Sequence, residues 1–220
     1  MKLIDSALHH IAVPPGNARG AFHPTLLLLH GRGADEEDLM GLSSVLDKRF
    51  MIVSARAPYP FPYSGGFTWY DVDEVGTPEP TMFKSSYEKL STFVDDVIAQ
   101  YPVDKSQLYV LGFSMGTVMS YAMALTQPQM FRAVVANSGY VAEKTHLTYK
   151  WDHLGQIEFF VAHGTNDPVI PVQFARQARG LLETARARFE YKEYPMAHEI
   201  SEESLQDFSL WLTHHLDATS

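Results

Sequence analysis

A chain of 220 residues, 45% hydrophobic and 20% charged, has enough apolar mass for a full core and is expected to fold as a single domain over residues 1–220. Its net charge of −9, with 17 Lys and Arg in no dense run, repels phosphate backbones and anionic bilayers, so nucleic acid is excluded as a partner. The absence of cysteine removes disulfides, thiolate metal sites and a thiol nucleophile together.

The N-terminus, Met1-Lys2-Leu3-Ile4-Asp5-Ser6, has one Lys and no sustained apolar stretch, so it does not read as a signal peptide. The longest apolar run, Thr25–Leu29, is far shorter than the roughly 18 residues of a spanning helix, so no membrane insertion and a cytoplasmic location are expected. The first two strands are expected at Ala7–Val13 and Thr25–His30, followed by a helix over Glu36–Leu46 and a strand over Phe50–Ser54. Asp35-Glu36-Glu37-Asp38 at that helix start is explained by capping and by the positive end of the helix dipole. No HExxH or clustered ligand spacing is present, so neither a metal nor any other cofactor is expected.

Residues 57–80 carry Pro58, Pro60, Pro62, Pro78 and Pro80 among the aromatics Tyr59, Phe61, Tyr63, Phe67, Trp69 and Tyr70. Prolines at that density exclude a helix and an interior strand, leaving an ordered loop whose rings plug the core or line an apolar cleft. Beyond it, helices are expected at Ser85–Gln100, Met115–Thr126, Gln173–Ala185 and Glu202–His215. Strands are expected at Gln107–Leu111, Ala133–Ala136, Ile157–His163 and Arg188–Tyr194. This alternation calls for an α/β fold with a mostly parallel central sheet covered by helices on both faces, its last five or six strands parallel.

Gly112-Phe113-Ser114-Met115-Gly116 is a G-x-S-x-G motif lying between a strand and a helix. The five residues alone would arise by chance in roughly one chain of this size in fifteen, but a sharp strand-to-helix reversal needs glycines on both sides and displays the serine hydroxyl. A serine hydroxyl needs a base, usually a histidine held by a carboxylate, and on such an elbow the partners follow in the order serine, acid, histidine. Asp167 sits at the tip of the turn His163-Gly164-Thr165-Asn166-Asp167-Pro168, and His198 follows the last strand and precedes the last helix. Asp152 falls before the relevant strand, and Glu199 is too close to His198 in sequence. His9, His10, His23, His146, His153, His214 and His215 are expected at the surface, while His30 and His163, each before a glycine at a strand end, are expected to support loops.

The oxyanion of a tetrahedral intermediate needs donors, and here these are the backbone N–H groups of Met115 and of Arg32 in His30-Gly31-Arg32-Gly33. The Arg32 side chain is then free for a carboxylate contact or for solvent. Phe67, Trp69 and the Met115 side chain are candidate walls of the substrate cleft.

Leu29-His30-Gly31-Arg32-Gly33, the G-x-S-x-G elbow, His163–Pro171 and Ala197-His198-Glu199-Ile200, with Trp69-Tyr70-Asp71, resemble the phospholipase/carboxylesterase group of α/β-hydrolases, which includes acyl-protein thioesterases and small bacterial carboxylesterases. The resemblance covers nearly the whole chain and implies an α/β-hydrolase fold without a large cap domain. It also implies a carboxylesterase with the triad Ser114, Asp167 and His198, acting on small-molecule esters. Met115 and Thr117 stand where the eukaryotic thioesterases carry Gln and a further Gly, a departure that argues against depalmitoylation, and an open cleft over the aromatic loop makes short- to medium-chain acyl esters the expected substrates. The same machinery would serve an acyl thioesterase or lysophospholipase. A non-catalytic ligand-binding protein of this fold is the alternative from another class, and exposed apolar loops are compatible with a homodimer.

Overall fold

The structure is a computed structural model that describes residues 2–18 and 20–218. Met1, Arg19, Thr219 and Ser220, which belong to the N-terminal stretch and the 1–220 domain read above, lie outside the described residues. Seven strands form one sheet: β1 (His10–Val13), β2 (His23–Leu29), β3 (Met51–Ala55), β4 (Val103–Phe113), β5 (Ala133–Asn137), β6 (Glu158–Gly164) and β7 (Arg188–Tyr194). Their order is β1-β3-β2-β4-β5-β6-β7, with β1 antiparallel to β3 and every other pair parallel. The parallel core therefore has six strands, the upper figure expected.

Alternation along the central strands divides the core into two layers. Leu27, Leu29, Val110, Val134 and Val161 face one side, and Leu26, Leu28, Leu111, Val135 and Phe160 face the other. The first layer is covered by α1 (Pro80–Gln100), α2 (Met115–Thr126) and α3 (Gln173–Thr184). The second is covered by α4 (Glu202–Asp217) and by a short 3₁₀ segment, Asp38–Ser44. All twelve residues of α2 are buried, which makes it the central helix. Among the described residues no helix is long and apolar enough to cross a membrane.

Three expectations are corrected. The helix expected over Glu36–Leu46 is only the 3₁₀ segment Asp38–Ser44, which contains Gly41 and two serines and has no side-chain cap at Glu37. The acids before it act otherwise than as helix caps: Asp35 accepts from the Glu37 N–H at 2.9 Å, and Glu36 pairs with Arg56. Helix α1 begins at Pro80, five residues before the expected Ser85, because the Glu79 carboxylate accepts from the N–H groups of Thr81 and Met82 and proline suits the first helical position. The proline-rich loop also holds two very small antiparallel pairs, Tyr59–Pro60 with Phe67–Thr68 and Val72–Glu74 with Thr77–Pro78.

The turn between β4 and α2 is the closest backbone approach near the site. A side chain on Gly116 would drive its Cβ into the Leu29 carbonyl of β2, and one on Gly112 would meet the Gly116 backbone. Gly116→Ala is expected to destabilise the protein by more than about 3 kcal/mol, because the obstacle is backbone that cannot repack. A urea-unfolding midpoint close to that of the native protein would refute this reading of the contact.

Candidate active site

Ser114 sits at the tip of the elbow with φ 55° and ψ −118°, a conformation that L residues rarely adopt. Its N–H donates to the Asn137 carbonyl at 3.0 Å, which anchors the strained residue to the end of β5. Thr117 Oγ1 lies 2.7 Å from the Gly112 carbonyl and 2.6 Å from that of Asn137, tying both strand ends to the first turn of α2. Threonine where the resembling thioesterases carry glycine therefore braces the elbow, a role that the sequence reading left unassigned.

Parallel pairing brings the loops after β6 and β7 beside Ser114. The Thr165 N–H donates to the Tyr194 carbonyl at 2.8 Å and the Asn166 N–H to the Met196 carbonyl at 3.1 Å, so the two loops are held by backbone bonds. His198 Nε2 lies 2.9 Å from Ser114 Oγ, and His198 Nδ1 lies 2.7 Å from Asp167 Oδ2. A carboxylate only accepts, so Nδ1 carries the proton and donates to Asp167, leaving Nε2 to accept from the serine hydroxyl. The Asp167 side chain has no solvent exposure, and its Oδ1 accepts the N–H groups of Val169 and Ile170, each at 2.8 Å. These donors satisfy the buried carboxylate and fix its direction.

Two further buried histidines shape the surrounding loops. His163 Nε2 lies 2.8 Å from the Ile170 carbonyl and 3.4 Å from Asp167 Oδ2, and burial lowers its pKa. His30 Nε2 accepts the Ala57 N–H at 3.0 Å, so its Nδ1 carries the proton and donates to the Gly31 carbonyl at 2.7 Å. In a trans peptide the C=O and N–H point opposite ways, so gripping the Gly31 carbonyl turns the Arg32 N–H away from the buried imidazole. Among the described residues neither the Arg32 nor the Met115 N–H has a protein acceptor. Gly31 meanwhile packs against the Phe113 ring and Ser114 Cβ, bringing that loop up to the elbow.

The three expected cleft walls differ in exposure. Trp69 is fully buried, and its indole N–H donates to the His30 carbonyl at 2.9 Å, so it has no surface to offer a substrate and supports the loop from beneath. Phe67 is half-buried with the Arg56 guanidinium 4.5 Å from its ring, and its backbone bonds to Gly33 and Ala34 hold the same loop from the side. The Met115 side chain is nearly buried, its sulfur 3.4 Å from the Thr68 hydroxyl. The Arg32 side chain is exposed, its guanidinium 4.7 Å from the centre of the Phe61 ring. His10 and His215, expected at the surface, are buried. His10 bonds Tyr101 Oη at 2.9 Å, and His215 bonds the Trp211 carbonyl at 2.9 Å.

With this geometry in place, comparison with known proteins identifies the family. The profile of the Phospholipase/Carboxylesterase family matches residues 16–216. The chain belongs to that family. An acyl-protein thioesterase 1 of Candida albicans is 26% identical over 213 residues, covering 88% of this chain and 92% of its own length. Among solved structures, the Bacillus cereus carboxylesterase aligns with a TM-score of 0.83 at 20% identity, covering 94% of both chains. A carboxylesterase from Mesorhizobium loti aligns with a TM-score of 0.84 at 20% identity, covering 96% of this chain and 97% of its own. The mostly parallel sheet with helices on both faces is the α/β-hydrolase fold of these neighbours, and as a member of this family the chain is a hydrolase acting on ester bonds.

Burial lowers the pKa of His10, His30 and His163, so the unfolded chain takes up protons at pH values where these folded imidazoles stay neutral. Their stabilising contribution is fully present above about pH 6.5 and is lost progressively as pH falls through the lower folded values. The urea midpoint should therefore drop between pH 7 and pH 5, above the range where ordinary carboxylates titrate, and a flat profile there would contradict the neutral assignments. His30→Gln removes the donor near Nδ1 and should lower kcat roughly 10-fold to 100-fold, with KM changing much less. His30→Asn, whose amide nitrogen overlays Nδ1, should retain more activity than His30→Gln; equal losses in steady-state ester hydrolysis would argue against peptide orientation as its role.

Proposed function

We propose that this enzyme is a serine carboxylic-ester hydrolase for short- to medium-chain acyl esters, working as a single α/β-hydrolase domain in the cytoplasm. The observation that carries the reading is the unbroken hydrogen-bond chain from Ser114 Oγ through His198 to Asp167. Ser114 Oγ attacks the ester carbonyl as His198 Nε2 takes its proton, and Asp167 holds the imidazole in the required tautomer and stabilises the resulting imidazolium. The N–H groups of Arg32 and Met115 receive the oxyanion, and both are free of protein acceptors among the described residues. Collapse of the intermediate breaks the bond to the alcohol oxygen, which leaves with the proton from His198. Water then attacks the acyl-serine, passes a proton to His198, and the carboxylic acid departs as Ser114 recovers its hydrogen.

The relatives named acyl-protein thioesterase favour a second reading, in which the same groups cleave a thioester and the leaving atom is sulfur. Half-buried Phe67 contributes a flank of the cleft, and Trp69 acts through the His30 carbonyl. The test is a series of initial rates on p-nitrophenyl esters from acetate to palmitate, for the native chain and Ser114→Ala. Activity should peak at short to medium chains and fall about 10⁴-fold or more in the variant. Turnover unchanged in Ser114→Ala would sink the site assignment, and a maximum at palmitate would move the substrate class to long-chain lipids.

A further inference from the structure

On the side of the sheet covered by α4 and the 3₁₀ segment, a cavity of about 240 Å³ opens beside the elbow. It is lined by Asp38, Leu39, Gly41 and Leu42 of the 3₁₀ segment, Phe113 next to Ser114, and Ile200 two residues after His198. Apart from Asp38 at its edge the lining carries no charged side chain. The Phe113 ring lies 5.0 Å from the His198 imidazole and close to Gly31, so one aromatic side chain links the cavity lining to both the base and the proposed oxyanion loop. Leu42, Phe113 and Ile200 are only half-buried although they pack against the core of that face, which leaves apolar surface facing the opening.

We infer that this cavity is the subsite for the alcohol portion of the ester and that it selects an uncharged, apolar leaving group. The inference rests on the serine-hydrolase reading above. In that reaction the departing oxygen must lie next to His198 Nε2, because it leaves with that proton, so the body attached to it extends over the histidine and away from the acyl group. The wall immediately flanking His198 is the Phe113 ring, and beyond it lie Leu42 and Ile200. Burial keeps the Asp38 carboxyl easier to protonate than usual, and when ionised it repels an anionic leaving group at the edge. The volume falls below the roughly 300 Å³ at which drug-sized pockets begin, so it suits a branched or cyclic alkyl or aryl body rather than a folded polypeptide.

Gly41 supplies the means of testing this. A Cβ built on it meets nothing within 4 Å, so a side chain there extends into open space without displacing the fold. Acetate esters of ethanol, 1-butanol and 2-cyclohexylethanol have alkoxides of similar basicity, so their relative kcat/KM reports contacts to the alcohol rather than intrinsic reactivity. The native enzyme should prefer the cyclohexylethyl ester over the ethyl ester. Gly41→Leu, which adds a bulky side chain to the lining, and Ile200→Ser, which removes apolar wall, should each lower that preference about fivefold or more. The ratio of ethyl butyrate to ethyl acetate in the same variants reports the acyl side and serves as the internal standard.

An unchanged alcohol preference in both variants, with turnover still dependent on Ser114, overturns the subsite. So does a parallel shift of the alcohol and acyl ratios, which would mean a distorted cleft. Absence of Ser114-dependent hydrolysis for every ester brings down the hydrolase reading and the subsite with it.

Discussion

The backbone contact between the first turn of α2 and the end of β2 is the constraint from which the rest of the site follows. With Gly116 pressed against the Leu29 carbonyl, the chain leaving β4 has no room for a gradual turn, and Ser114 takes up φ 55°. The same reversal makes Met115 the first residue of a helix, where an N–H has no intrahelical acceptor. Strain on the nucleophile candidate and an available donor beside it are therefore one geometric event. Strain of this kind persists only where the surroundings overdetermine it, and here the Ser114 N–H bond to Asn137, the Thr117 hydroxyl and the complete burial of α2 do so.

Histidine followed by glycine closes both β2 and β6, and the two pairs solve the same problem. A loop leaving the carboxyl end of a buried strand must direct its peptide groups without a ladder to hold them. His30 and His163 each place a buried ring against a loop carbonyl, that of Gly31 and that of Ile170. Burial disfavours the imidazolium at both positions, so each ring offers one donor and one acceptor rather than a charge. At His30 both are used, and the Trp69 indole fixes the carbonyl of the same residue from below. His163 instead lies 3.4 Å from the Asp167 carboxylate, where a neutral ring brings no second charge to the carboxylate that hydrogen-bonds His198. These loops are thus supported from the core outward, which holds the polar groups at their tips in place.

Much of this was legible because the signals were local. The strand-to-helix alternation, the glycines flanking Ser114, and Asp167 and His198 after successive strands all depend on short-range chemistry, and the chain order of the three groups needs no tertiary information. What escaped the sequence was decided by packing. Trp69 sits in a proline-rich aromatic run where each ring has the same composition-level claim to a cleft, and only the His30 carbonyl distinguishes it. His10 and His215 lie on polar-looking stretches yet are buried against Tyr101 and Trp211. The Glu36–Leu46 pattern had helical periodicity, but Gly41 and the adjacent serines weaken it, and the acids that resembled caps are drawn into other partners, above all Arg56 for Glu36. The start of α1 was the opposite case: Glu79 and Pro80 were a readable signal, obscured by the proline density around them.

The shortened segment also explains why the two faces of the sheet differ. One face is sealed by α1, α2 and α3, with all of α2 buried, while the other is covered by the short 3₁₀ segment Asp38–Ser44 and by α4. A regular helix over residues 36–46 would present side chains on every turn beside Phe113 and Ile200. The 3₁₀ segment instead places Gly41 there, with nothing within 4 Å of its missing Cβ. The opening beside Phe113 is thus bordered by Gly41, the residue that breaks the helical pattern. Gly41 therefore both weakens a regular helix over this stretch and borders the apolar surface next to Phe113.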